Sequence, residues 1–527
     1  MAFERQIAGR QDARATDRPM RWDALPAIAR NPYLWLSAAL FAIMAVEAVE
    51  GGWVGDFWLH TAVVNELARS PLHPANPLVL GTYPDFYESP YLLLVALVVR
   101  ATGLSSVAAL AVAGLANLVL LLVAFRLWIA RLSPGSRVAA IGLVLILLLW
   151  GTRTWQWSGF LNLAGLPLTL PYPSTFATAL MLLSWVLLMS TIRRPAAWRF
   201  GVLALTGAVM GLTNPYSLLN GTLGVGAILI AEHRSLSARF VVGLVLAAAA
   251  GGLLALAWPY FSLLDALRSA PAADAIHRPL YQELLSRAAL AAVGLPALWW
   301  RWRRRHTDSL VWLFAFAAVV LVLGGLTHHY ALGRVWPVVV LPLQVAAAIE
   351  VAAPPAGRDR RLTIGFAVLV IVAVIIGARG GAGGLARAIP ASVMPHAIRQ
   401  QLYIIEPPSF PVVARCVREG EVVATDNLAA LRMIPAYGAK VIVPGYPDSY
   451  IPDEARRRID QDALFNAETS RPQVEAIVAR YHVHWVLWDP AKPLAAADVY
   501  RIAARESDGL ILFAVPPRGV SPPAPGC

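Results

Sequence analysis

Apolar runs close to the length that crosses a lipid bilayer recur about eleven times along this chain of 527 residues. A hydrocarbon core about 30 Å thick requires about 20 helical residues per crossing. Runs that meet or approach this length lie at about 33–50, 104–125, 138–154, 173–192, 199–213, 216–231, 239–258, 286–300, 309–327, 331–350 and 362–379. Composition agrees, with 58% hydrophobic and 14% charged residues, which is more apolar and less charged than soluble domains are. The expected fold class is an α-helical polytopic membrane protein of about eleven transmembrane helices, followed by a C-terminal soluble α/β domain.

The net charge of +12 does not point to nucleic acid, because the arginines fall in short clusters between apolar runs, as in cytoplasmic loops under the positive-inside rule. With residues 1–32 as a cytoplasmic tail, every second loop is basic. These loops carry Arg126, Arg131 and Arg137, then Arg193, Arg194 and Arg199, then Arg234 and Arg239, then Arg301 to Arg305, then Arg358 to Arg361. The tail is Arg-rich and the first apolar run nearly spans, so that run reads as an uncleaved first helix. One segment resists the alternation. Residues 91–103, "YLLLVALVVRATG", are too few to span and read as a half-buried interfacial helix.

On this topology the membrane domain covers 33–380 and its first outer loop, 50–104, is long. A glycine-rich linker occupies 381–394. From 395 to 520, β-rich runs ("EVVATD", "KVIVPGY", "HWVLWD", "LILFAV") alternate with helical patterns, which indicates an α/β domain on the outer side. That domain has no glycine-rich phosphate loop.

Three clusters on the outer side carry chemistry. In "GDFWLHTAVVNELARS", Asp56 opens a helix, where it suits an N-cap, and His60 follows one turn later on the same face. Further along, "YPDFYESPY" supplies the carboxylates Asp85 and Glu88 among Tyr83, Phe86, Tyr87 and Tyr91. Carboxylates beside aromatic rings suit a carbohydrate site, although tyrosines also gather at membrane interfaces. The third, "THHYALGR", is an outer turn with His328, His329 and Tyr330, and Arg334 lies about one turn into the next helix. An arginine there either snorkels or meets an anion, and guanidinium suits a phosphate.

An amino-terminal helix, a long outer loop opening on "GDFWLH", an apolar bundle with the outer "HHYALGR" turn and a following α/β domain resemble the GT-C superfamily of integral membrane glycosyltransferases. The resemblance spans roughly residues 33–350. It implies a polyprenyl-phosphate-sugar donor, an extracytoplasmic glycan, lipid or protein acceptor, inverting transfer, and Asp56 as base. It also implies Asp85 or Glu88 as a second catalytic carboxylate and Arg334, His328 and His329 around the donor phosphate. His60, Tyr83, Tyr87 and Tyr330 become substrate contacts, and the location becomes a bacterial inner membrane. The sequence lacks the "WWDYG" motif and a paired "DE" after the first helix, which leaves open whether a divalent metal, Mg or Mn, takes part. A transporter or lipid flippase has a similar span count but shows internal repeats and midplane charges, neither of which is evident here. A non-catalytic envelope scaffold is the third class.

Overall fold

The computed structural model describes residues 30–269, 274–355, 357–390, 392–402, 404, 407–506 and 509–515. Nearly all of the expected 1–32 tail therefore lies outside the described residues. The first helix, Pro32–Glu50, starts where the Asn31 side chain accepts the Tyr33 and Leu34 N–H groups and stops at Gly51, whose φ of 69° is left-handed. Among the described residues, seven helices are long and apolar enough to cross a membrane. They are Pro32–Glu50, Ser106–Leu132, Pro173–Arg193, Ala238–Leu256, Ser309–Leu326, Tyr330–Ala352 and Arg360–Ala386. Ser136–Leu148, Ala197–Thr213 and Pro215–Ala231 are shorter apolar helices packed among them.

The run at 286–300 is not one helix. It breaks into Leu284–Ala288, a 3-10 turn Ala289–Gly294 and Leu295–Arg304. Pro296, with no N–H to continue the preceding turn, sits at the start of the last piece. The run at 331–350 likewise opens as a 3-10 turn, Tyr330–Val335, and becomes α-helical from Trp336. The short segment after the first loop is a helix of 13 residues, Pro90–Thr102. It packs Tyr91, Leu92, Val95 and Ala96 against Val63, Val64 and Leu67 of the Phe57–Arg69 helix.

Residues 149–172 are mostly buried and largely irregular backbone, although the stretch from Arg153 to Tyr172 reads from the sequence as an outer loop. Its polar groups find internal partners. Trp150 donates to the Ile146 carbonyl at 2.7 Å, Asn162 donates to the Trp155 carbonyl at 2.8 Å, and Asn117 donates to the Leu170 carbonyl at 2.9 Å. Gln344 does the same for Leu149 at 2.9 Å. Non-helical backbone inside an apolar bundle requires such bonds.

The last long helix continues to Ala386, into the glycine-rich segment read as a linker. Those glycines form a contact stripe. A Cβ at Gly377 would strike the Leu148 carbonyl, one at Gly380 the Thr152 carbonyl, and one at Gly384 the Leu163 carbonyl. The stripe therefore clamps this helix onto the start and the middle of the irregular segment.

The C-terminal domain is a five-stranded sheet in the order β2-β1-β3-β5-β4. The strands are β1 Val422–Thr425, β2 Lys440–Val441, β3 Val483–Trp488, β4 Arg501–Arg505 and β5 Ile511–Ala514. β2, β1 and β3 are parallel, whereas β5 and β4 pair antiparallel. Helices Glu454–Leu464 and Arg471–Tyr481 match the expected helical patterns, and β4 is an addition to the expected strands. The edge at β2 is covered by the first outer loop, because the Val441 N–H donates to the Leu78 carbonyl at 2.8 Å. Lys440 donates to the Asn76 carbonyl at 2.7 Å and Asn65 to the Ala436 carbonyl at 2.9 Å. Tyr260 to the Pro71 carbonyl (2.5 Å), Trp258 to the Glu88 carbonyl (3.0 Å) and Tyr450 to the Ser262 carbonyl (2.6 Å) gather the remaining loops at the same end.

The glycine stripe yields a prediction. Gly384→Leu should lower the thermal unfolding midpoint by an amount matching about 1–3 kcal/mol of overpacking. Gly365→Leu, on the same helix but with open space around it, should leave the midpoint nearly unchanged. Fluorescence-detected unfolding of the detergent-solubilised chain distinguishes the two.

Candidate active site

Asp56 sits where the first helix hands over to Phe57–Arg69, after Gly55 turns the chain at a φ of 64°. The sequence suggests that Asp56 caps this helix. Its side chain makes no cap hydrogen bond. Tyr172 does that work instead, accepting the Phe57 N–H at 3.1 Å while donating to the Val54 carbonyl at 3.0 Å. The Asp56 carboxylate is thereby left for another partner, and it accepts from the Tyr446 hydroxyl of the C-terminal domain at 3.0 Å. Arg432 lies over the Tyr446 ring, 4.5 Å from its centroid. Burial raises the Asp56 pKa, while Arg432, the Tyr446 hydrogen bond and Arg334 oppose that rise.

His60 is buried and edge-on to both Tyr87, at 5.3 Å, and Tyr172, at 4.9 Å. Burial pushes its pKa down to about 3, so its imidazole is neutral and offers a phosphate no positive charge. Tyr87 stands between Asp85 and Asp56, and both carboxyl groups act on its hydroxyl.

Asp85 acts on the same Tyr87 hydroxyl as Asp56, and it lies with Glu88 beside the C-terminal domain. Both are buried; Asp85 accepts the Tyr87 N–H at 2.7 Å, and Glu88 accepts the Asp85 N–H at 3.4 Å. Asp448 of the C-terminal domain faces Asp85, and each retains one buried carboxyl oxygen without a hydrogen-bond partner. Burial, then Asp448, raises the Asp85 pKa, and burial, then Asp85, raises that of Glu88 to about 9. Tyr83 packs with the C-terminal domain, under Arg457 at 5.9 Å. No group of three or more His, Cys, Asp or Glu among the described residues is arranged to hold a metal ion.

Arg334 is buried and does not snorkel. It donates to the Ser158 hydroxyl at 2.6 Å and is ringed by Tyr216, Trp157 and Phe160 at 4.9, 5.5 and 5.9 Å. It lines a cavity of about 890 Å³, mouth included. The cavity walls are leucines with Phe125, Ile146 and Trp150, and its polar lining is Ser158, Asn214, Ser217, Asn220, Arg334 and Gln344. The neighbouring turn points its groups elsewhere. His328 contacts the Tyr330 hydroxyl at 2.9 Å, His329 contacts Asp274 at 3.3 Å, and Tyr330 stacks edge-on to Tyr281 at 5.6 Å. Both histidines are exposed, whereas Arg334 is enclosed.

The structure thus gathers Asp56, Arg334, Tyr87, Tyr172, Tyr216, Arg432 and Tyr446 into one electrostatically coupled group. Asp85, Glu88 and Tyr83 belong to the loop–domain contact, and His328, His329 and Tyr330 to the outer turn. Arg432 and Tyr446 carry no local sequence signal. For Trp157, Ser158 and Phe160 the signal was "WQWSGF", an aromatic cluster in the segment read as a loop.

This arrangement of helices, outer loop and sheet domain is similar in fold to solved structures. The structure of ArnT from Cupriavidus metallidurans bound to undecaprenyl phosphate superimposes with a TM-score of 0.54 at 14% identity, covering 94% of this chain and 100% of that one. The arabinofuranosyltransferase AftD from Mycobacteria gives a TM-score of 0.52 at 15% identity, covering 91% of this chain and 41% of that one. No protein-family model and no curated protein sequence matches the chain.

The buried carboxyl groups set a pH dependence. Glu88 titrates near 9 in the folded state against about 4.3 when exposed. Stability from its burial is full below about pH 4 and is lost as pH rises through 9. Glu88→Gln should be neutral within about 0.5 kcal/mol at pH 4 and should raise the unfolding midpoint relative to wild type at pH 9.5. Asp85→Asn should act in the same direction. Thermal unfolding at both pH values is the measurement, and a wild-type advantage at pH 9.5 would contradict it.

Proposed function

We propose that this chain is a membrane glycosyltransferase that moves a sugar from a polyprenyl-phosphate-linked donor to an extracytoplasmic acceptor hydroxyl on a glycan, lipid or protein. One observation carries the reading: a leucine-walled cavity ends at a buried arginine that lies within electrostatic reach of a carboxylate. Isoprenyl units suit the apolar walls, and a phosphate suits the guanidinium. The fold neighbour ArnT, whose structure contains undecaprenyl phosphate, supports the same assignment by analogy of fold.

In this reading the bond between the anomeric carbon and the phosphate oxygen breaks as the acceptor oxygen attacks from the opposite face, which inverts the anomeric centre. Asp56 accepts the proton of the acceptor hydroxyl. Arg334, held in its aromatic ring and by Ser158, receives the charge that develops on the departing phosphate. Asp85 and Glu88 hold the first loop against the C-terminal domain and do not touch the reacting atoms. The arginine-rich turns lie at the end opposite to Asp56, which supports an extracytoplasmic site and C-terminal domain in a bacterial inner membrane.

The test is release of undecaprenyl phosphate from synthetic undecaprenyl-phosphate pentoses and hexoses, in membranes that supply acceptors. Asp56→Asn should lower turnover about 10²- to 10⁴-fold, the usual contribution of a general base. Unchanged turnover would remove Asp56 from the mechanism. Arg334→Met should weaken undecaprenyl phosphate binding at least about tenfold, with Arg334→Lys intermediate because charge is kept while the planar fork is lost.

A further inference from the structure

The Asp56 carboxylate meets one protein hydrogen-bond donor among the described residues, and that donor comes from 390 positions away. We infer that Tyr446 and Arg432 of the C-terminal domain are positioning residues for Asp56, so that this domain is part of the membrane site and not an appended module; the inference deepens the reading of Asp56 as base.

The geometry is specific. The Tyr446 hydroxyl fixes Oδ1 at 3.0 Å, and Oδ2 has no protein donor among the described residues. Arg432 lies over the Tyr446 ring, and its Nε is buried without a partner among the described residues. Among the described residues no carboxylate lies within ion-pair distance of Arg432, and its charge acts on Asp56 across the recess. Tyr446 sits just beyond β2 and Arg432 on the helix Leu428–Met433. Both elements are held against the first loop by the Val441–Leu78 and Lys440–Asn76 bonds. A hydroxyl that donates to the ionised form, with a cation behind it, keeps a buried carboxylate charged and aims its free oxygen.

The groups that face Asp56 are Tyr446 and Arg432 from the sheet domain, Arg334 from the turn before the Trp336–Ala352 helix, Tyr172 from the irregular segment, Tyr87 from the first loop and His60 from its own helix. Removing the Tyr446 donor or the Arg432 charge leaves the opposing burial in place. The Asp56 titration therefore moves to higher pH, and the acid limb of the rate profile moves with it.

The experiment reads that titration directly on the full chain in detergent, from the carboxyl infrared band that Asp56→Asn removes. Tyr446→Phe and Arg432→Met should raise its midpoint by about one unit or more, and Arg432→Lys should restore most of it. Arg69→Ala, which breaks the Arg69–Glu419 pair at the same loop–domain contact, should leave it in place. An unmoved midpoint in Tyr446→Phe, or an equal shift in Arg69→Ala, would overturn the inference. Neither result bears on whether Asp56→Asn abolishes sugar transfer, so the two readings fail separately.

Discussion

The structure depends on how residues 149–172 satisfy their backbone while buried among helices. A chain that leaves helical geometry inside an apolar bundle exposes N–H and C=O groups that neither lipid nor leucine can bond. Asn117, Asn162 and Gln344 supply the missing partners, and the glycine stripe of the last long helix closes over the start and middle of the segment. Everything at the candidate site hangs from this scaffold. Trp157, Ser158 and Phe160 enclose Arg334, and Tyr172 caps the helix that Asp56 would otherwise cap.

That substitution of one cap for another explains how a carboxylate at a helix start becomes available for chemistry. An aspartate bonded to the N–H groups of its own helix is held in a low-energy state and has little basicity to spare. With Tyr172 in the capping role, Asp56 faces two arginines and two further tyrosines from four separate parts of the chain. Its charge is then a property of the assembled site and not of the local turn.

Much of the fold was legible because apolar run length and arginine spacing are strong, local signals. The Pro90–Thr102 helix, most of the long helices and four of the five strands followed from pattern alone. The breaks at Pro296 and at the start of Trp336–Ala352 were hidden by apolar composition, which does not distinguish a continuous helix from one interrupted by 3-10 turns. The site was legible in part. Asp56 and Arg334 stand out as charges in apolar surroundings, where each demands a partner. Arg432 and Tyr446 look like ordinary residues of a soluble domain, and only tertiary docking brings them to Asp56. Asp85 and Glu88 stand out for the same reason as Asp56, and both are buried, with Asp448 of the C-terminal domain facing Asp85.

The cover of the β2 edge by Leu78 has a consequence for biosynthesis. The first outer loop leaves the ribosome more than 300 residues before the sheet that it edges. Until that sheet is made, Leu78 has no strand to join and Tyr446 is not there to hold Asp56. The membrane helices can insert in order, one after another, but the recess around Asp56 is finished only when nearly the last element of the chain arrives. Assembly thereby acts as a checkpoint, because a truncated or stalled chain sits in the membrane without a completed site.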